Sequence, residues 1–171
     1  MSEQNEGVFS VSSSIVIDAP PSVVWKVILD FPAYKEWNSF VRAQVQLDQS
    51  KKPLADQSVP VELGSFLRLS VHLPPTMDDS VSFTHSDEIV TELDSSNFRV
   101  AWRFLPPIPG ILNAERWQQL TATDGGKTKF ETKETFRGPV AYVVRWMLRD
   151  KLQGAFETYA DDLKKRSESL T

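Results

Sequence analysis

The chain has 171 residues, 40% of them apolar and 25% charged, the balance of a single folded domain with room for a core and a cavity inside it rather than of a disordered or fibrous chain. Its 19 basic and 23 acidic side chains leave a net charge of −4, so no basic excess exists to neutralise nucleic-acid phosphates. With no cysteine and two histidines, a disulfide framework, a thiol nucleophile, a thiolate metal site and a histidine-rich metal cage are excluded.

The opening residues, MSEQNEGVFS, hold no basic patch followed by an apolar run. Neither a secretory signal nor a presequence is expected, and a cytoplasmic location follows. Residues 1–7 read as a loose tail to one domain spanning 1–171. Residues 8–18 alternate around Val11, Ser13, Ile15 and Ile17, a strand that stops at Ala19-Pro20-Pro21. Pro21 and Ser22 open a helix, because proline is tolerated in a first turn, and Val24, Trp25, Ile28 and Leu29 recur at helical spacing until Asp30-Phe31-Pro32. A second short helix over 33–39 carries Tyr34, Trp37 and Phe40 at three-residue intervals, on one face.

Residues 40–48 are strand-like, and the polar stretch 49–58 reads as a loop. Strand-length segments follow at 65–73, at 81–85 with 89–94, at 98–104, at 114–123 and at 127–136. Asp124-Gly125-Gly126 is a hairpin signal, so the last two strands should be antiparallel neighbours. After Gly138-Pro139 the period becomes 3.6, with Val140, Val144, Leu148, Leu152, Ala155, Phe156, Tyr159 and Leu163 on one stripe. Such a helix of roughly thirty residues spans about 45 Å, enough to cross a whole sheet. No run of eighteen apolar residues occurs, so no membrane-spanning helix is expected. The order of elements describes an α+β protein whose curved antiparallel sheet packs on its last helix, and function belongs between the two.

The segment IVIDAPPSVVWKVILDFPAYKEWNSFV, residues 15–41, resembles the amino-terminal signature of the polyketide cyclase/dehydrase and lipid-transport superfamily (SRPBCC), which includes the START and Bet v 1-like proteins. Gly64, the VTELD of 90–94 with Trp102, the Asp-Gly-Gly turn, Glu134-x-Phe136-x-Gly138 and the long terminal helix extend the resemblance over nearly the whole chain. It implies the helix-grip fold: a seven-stranded antiparallel sheet wrapped around the carboxyl-terminal helix, with an apolar cavity between them. It does not imply one chemistry, because the superfamily holds cyclases, dehydratases, hydrolases, hormone receptors and passive carriers.

In the last strand Phe130, Thr132, Glu134 and Phe136 share a face, and the phenylalanines turn that face inward. A buried Glu134 would have its pKa raised and could move a proton near neutral pH, unless it is a structural partner of an arginine. On the neighbouring strand Arg116 and Gln118 share the Leu120 side, which matches the family's inward face; a one-residue slip would instead turn Arg116 out and Trp117 in. Relatives that this sequence resembles carry histidine where Arg116 stands, so a histidine base is not expected there. Arginine instead holds an enolate, phenolate or carboxylate through paired hydrogen bonds. Val100, Trp102 and Phe104 form an aromatic wall with Phe98, suited to a flat ligand or to ordinary core packing. His72 is a candidate acid or base, with surface placement as the alternative. Trp37 and Phe40 fall at the elbow that closes one end of the cavity in relatives, and Pro106 to Gly110 form a loop at its mouth.

The expected activity is that of a cyclase or dehydratase, a lyase or isomerase of secondary metabolism that works without a cofactor. Glu134, Arg116 and His72 are the catalytic candidates; Trp37, Phe40, Val100, Trp102, Phe104, Gln118, Phe130, Thr132 and Phe136 are the substrate-binding ones. The expected partner is a hydrophobic or aromatic small molecule, with no nucleic acid and no integral membrane association, on a monomer or homodimer. The alternative is a carrier of lipid, sterol or another hydrophobic molecule that uses the same cavity without chemistry.

Overall fold

The computed structural model describes residues 7–171; apart from Gly7, the tail expected over 1–7 lies outside the described residues. Seven strands, β1 (Phe9–Ile17), β2 (Val41–Leu47), β3 (Phe66–Val71), β4 (Thr84–Asp94), β5 (Arg99–Phe104), β6 (Asn113–Thr123) and β7 (Lys127–Arg137), pair antiparallel in the order β1-β7-β6-β5-β4-β3-β2. Helices α1 (Pro21–Leu29) and α2 (Tyr34–Trp37), joined by one 3-10 turn, carry the chain from one sheet edge to the other, and α3 (Val140–Glu168) lies across the concave face. This is the helix-grip architecture.

Because side chains alternate along a strand, register decides what the concave face carries. β6 and β7 pair Ala114 with Phe136, Arg116 with Glu134, Gln118 with Thr132 and Leu120 with Phe130, while β5 sets Trp102 beside Arg116 and Val100 beside Gln118. All of these face the helix. The core forms where this face meets the second half of α3, in which Ala155, Phe156, Tyr159, Ala160 and Leu163 are buried.

The long helix is anchored at both ends. Gly138 turns the chain from β7 into α3 at φ 93°, and a Cβ there would lie 2.9 Å from the Ile111 carbonyl oxygen. The Val140 N–H donates to that same oxygen at 3.0 Å, tying the helix to the 105–112 loop. Toward the other end, the Asp162 carboxylate accepts hydrogen bonds from the N–H and Oγ of Ser39, at 3.0 and 2.6 Å.

Two local expectations are corrected. β4 is one continuous strand, not two pieces parted at 86–88. Asp87 points to the outer face, where Arg68 of β3 holds it with paired hydrogen bonds of 2.7 and 2.9 Å, so a polar run that reads as a break is bridged across the ladder. The second helix is only four residues long, because the Asn38 side-chain oxygen accepts the N–H groups of Phe40 and Val41 and turns the chain into β2. The β6–β7 hairpin forms as expected, through a tight turn at Asp124–Gly126 in which Gly125 and Gly126 take φ 76° and 74°.

Candidate active site

A cavity of about 290 Å³ lies between the first half of α3 and the concave face, at the end where β3 turns into β4, β5 into β6 and β7 into the helix. Leu69, Val71, Trp102, Phe104 and Phe136 line it from the sheet, and Val144, Leu148 and Leu152 from the helix. Set in these apolar walls are Thr84, Ser86, Glu88, Arg116 and Glu134.

Arg116 is the fixed point of the group. Its Nε donates to Thr132 Oγ1 at 3.1 Å, and that hydroxyl donates to the Trp117 carbonyl oxygen at 2.8 Å. Its Cζ lies 4.3 Å from the centre of the Phe156 ring and 4.4 Å from that of Tyr159, so two aromatic faces stabilise the charge. Its Nη2 has no hydrogen-bond partner. Neither cavity carboxyl closes a salt bridge with it among the described residues. The guanidinium is therefore oriented by neutral groups and keeps donor capacity in reserve.

The two carboxyls respond to burial. Desolvation pushes Glu134 up to about 7, opposed by the Arg116 charge. Glu88 is pushed further, to about 8, first by desolvation and then by the charge on Glu134; the hydrogen bond from Ser86 Oγ, 2.9 Å long, and Arg116 act the other way. Near neutral pH the site therefore offers one carboxyl that is mostly protonated, Glu88, and one that is about half ionised, Glu134, beside a cation. Such a set can move a proton off one atom and onto another while holding the charge that develops between them.

Of the residues singled out from sequence, Glu134, Arg116, Trp102, Phe104, Phe136 and Phe40 line the cavity. Arg116 points inward, and Trp117 lies on the outer face with the Arg99 guanidinium 4.8 Å over its ring. Gln118, Phe130, Thr132, Val100 and Trp37 are buried but sit behind the wall: Thr132 holds Arg116, while Phe130 and Trp37 pack on Tyr159. His72 is also buried, but off the cavity. Its Nδ1 lies 3.0 Å from the Thr76 carbonyl oxygen and its Nε2 3.2 Å from that of Val81, so the ring is turned to the backbone of the β3–β4 loop. Glu88 was not anticipated, nor were Thr84 and Ser86. The available signal was parity, since 84, 86 and 88 share the inward side of β4 with Val90.

A seven-stranded sheet gripping one long helix over an apolar cavity defines a helix-grip protein. Residues 8–168 match the family described as polyketide cyclase / dehydrase and lipid transport, and the chain belongs to that family. A curated relative, the oxopyrrolidines biosynthesis cluster protein O of Penicillium oxalicum, is 29% identical over 175 residues, covering 88% of this chain and 82% of that protein. A hypothetical protein of Helicobacter pylori superposes with a TM-score of 0.70 at 15% identity, over 96% of this chain and 91% of that one. The Zhui aromatase/cyclase from Streptomyces sp. R1128 does so with a TM-score of 0.64 at 13% identity, over 94% and 93%. At such identities the two structures show the shared fold.

Proposed function

We propose that this protein is a cofactor-independent cyclase or dehydratase of secondary metabolism acting on a polyketide or aromatic intermediate held in the cavity. The observation that carries the proposal is the pair of buried carboxyls, Glu134 near 7 and Glu88 near 8, flanking Arg116 in an otherwise apolar chamber. A passive carrier needs apolar walls and at most an anchor, and two desolvated carboxyls are costly to keep without use. The names of the fungal relative and of the aromatase/cyclase point the same way.

Ionised Glu134 removes a proton from a carbon next to a carbonyl, and Arg116 holds the enolate oxygen that results. The electron pair of the broken C–H bond forms the new C–C bond at a second carbonyl carbon, whose oxygen takes the proton of Glu88. In the dehydration that follows the two groups exchange roles: Glu88, now ionised, removes the proton next to the carbonyl, and the hydroxyl leaves as water with the proton that Glu134 took up, which returns both carboxyls to their starting states. Trp102, Phe104 and Phe136 constrain the folding of the chain so that the reacting carbons meet.

The test pairs binding with turnover. Purified protein is examined by native mass spectrometry for a retained molecule and then assayed on poly-β-carbonyl and aromatic substrates. E134Q should bind substrate as the wild type does while turnover falls at least about a hundredfold, the scale of a lost general base. Full activity in E134Q sinks the assignment. A co-purified lipid, bound equally by wild type, E88Q and E134Q with no product formed, establishes the carrier reading instead.

A further inference from the structure

The first half of α3 has two apolar faces, and only one is used. Val144, Leu148 and Leu152 roof the cavity. Around the rest of the helix Tyr142, Val143, Trp146 and Met147 are exposed, Trp146 over 85% of its surface. Ile108, in the proline-rich loop tied to the start of this helix, is exposed as well. Single apolar side chains on a surface are ordinary, whereas a group this dense, centred on a tryptophan, marks a contact.

Charge selects the partner. Between Gly138 and Leu152 the chain carries Arg145, Arg149 and Lys151 against Asp150 alone, in a protein whose net charge is −4. All three cations are exposed, and none closes a salt bridge among the described residues. The Arg145 guanidinium lies 5.7 Å from the centre of the Tyr142 ring. A second copy docked across a two-fold axis would bring the same cations face to face. An anionic lipid surface neutralises them and accepts the apolar side chains at the depth where tryptophan and tyrosine partition.

We infer that the outer face of Val140–Leu152, with Ile108 beside it, docks on anionic membranes as a peripheral contact, the helix lying in the plane of the interface. Among the described residues no helix is long and apolar enough to cross a membrane, so the contact is reversible. It sets the roof of the cavity against the phase in which hydrophobic molecules dissolve. The inference does not depend on whether the cavity performs chemistry.

Co-sedimentation with vesicles of phosphatidylcholine alone, and of phosphatidylcholine with one third phosphatidylserine, tests it. The wild type should bind the anionic vesicles at least about tenfold more strongly, with a blue shift of tryptophan emission, and raised salt should release it. W146A and R145E/R149E replace only exposed side chains, so their melting temperatures should stay close to that of the wild type while each loses most of the binding. Equal binding to both vesicle types overturns the inference, as does unchanged binding by the charge-reversed variant. Absence of vesicle binding together with a concentration-dependent dimer that W146A dissolves also overturns it, in favour of a second copy.

Discussion

Glu134 and Glu88 hold protons into the neutral range because each carboxylate would leave water for an apolar wall, and the charge on Glu134 pushes Glu88 further. Under the proposed mechanism turnover requires Glu134 ionised and Glu88 protonated. The kcat/KM profile should therefore be a narrow bell with its maximum between about 7 and 8, its two limbs belonging to the pair as a unit. E88Q should remove the descending limb and lower the maximum; a profile flat from about pH 5 to about 10 would count against the pair. Stability carries the opposite sign from the usual carboxylate. Both groups bind protons more tightly folded than unfolded, so the stability they confer is fully present below the unfolded value of about 4.5 and is lost as pH rises through 7 and 8. The melting temperature of the wild type should fall across that window. E88Q and E134Q should each flatten the fall, which thermal unfolding at several pH values would show. Glu134 was legible because its strand is punctuated by phenylalanines of the same parity. Glu88 was not, since Thr84, Ser86 and Glu88 give an inward face almost without apolar residues, and polar periodicity looks the same as a loop.

At the scale of elements, alternation and helical period were enough to read all seven strands and the long helix, because each strand buries one face and α3 buries a stripe. What escaped were features set by side chains from elsewhere: the Arg68–Asp87 pairing that carries β4 through its polar stretch, and the Asn38 turn that shortens α2. The elbow and the proline-rich loop lie at opposite ends of α3, the first bonded to Asp162 and the second to Val140. Both reach the wall of the cavity, the elbow through Phe40 and the loop through Leu112 at its end. The joint between β7 and α3 rests on Gly138, whose φ of 93° and close approach to the Ile111 carbonyl leave no room for a side chain. G138A should lower the unfolding free energy by more than about 1 kcal/mol. Urea denaturation measures this; an unchanged midpoint would mean that the joint relaxes freely.

The whole molecule divides along its longest helix. From Ala155 to Leu163 the inward side chains of α3 are almost fully buried against the sheet, whereas Val144, Leu148 and Leu152 are only partly covered because they border open space. A sheet this curved cannot close on the helix along its full length, so one half supplies the stability and the other the chamber. Two truncations separate these duties. L163A removes atoms from a packed site and should cost about 2–5 kcal/mol. L148A only enlarges a cavity that already exists, so its cost should fall below that range while ligand affinity changes. Hydrogen exchange provides an independent reading: amides of 144–152 should exchange faster than those of 156–164 in the free protein, since local opening follows the density of buried contacts. Bound ligand should slow the first group most, because it supplies the contacts the sheet does not. Uniform protection along α3, with equal costs for the two truncations, would mean that the roof of the chamber is as rigid as the core and that ligand enters by another route.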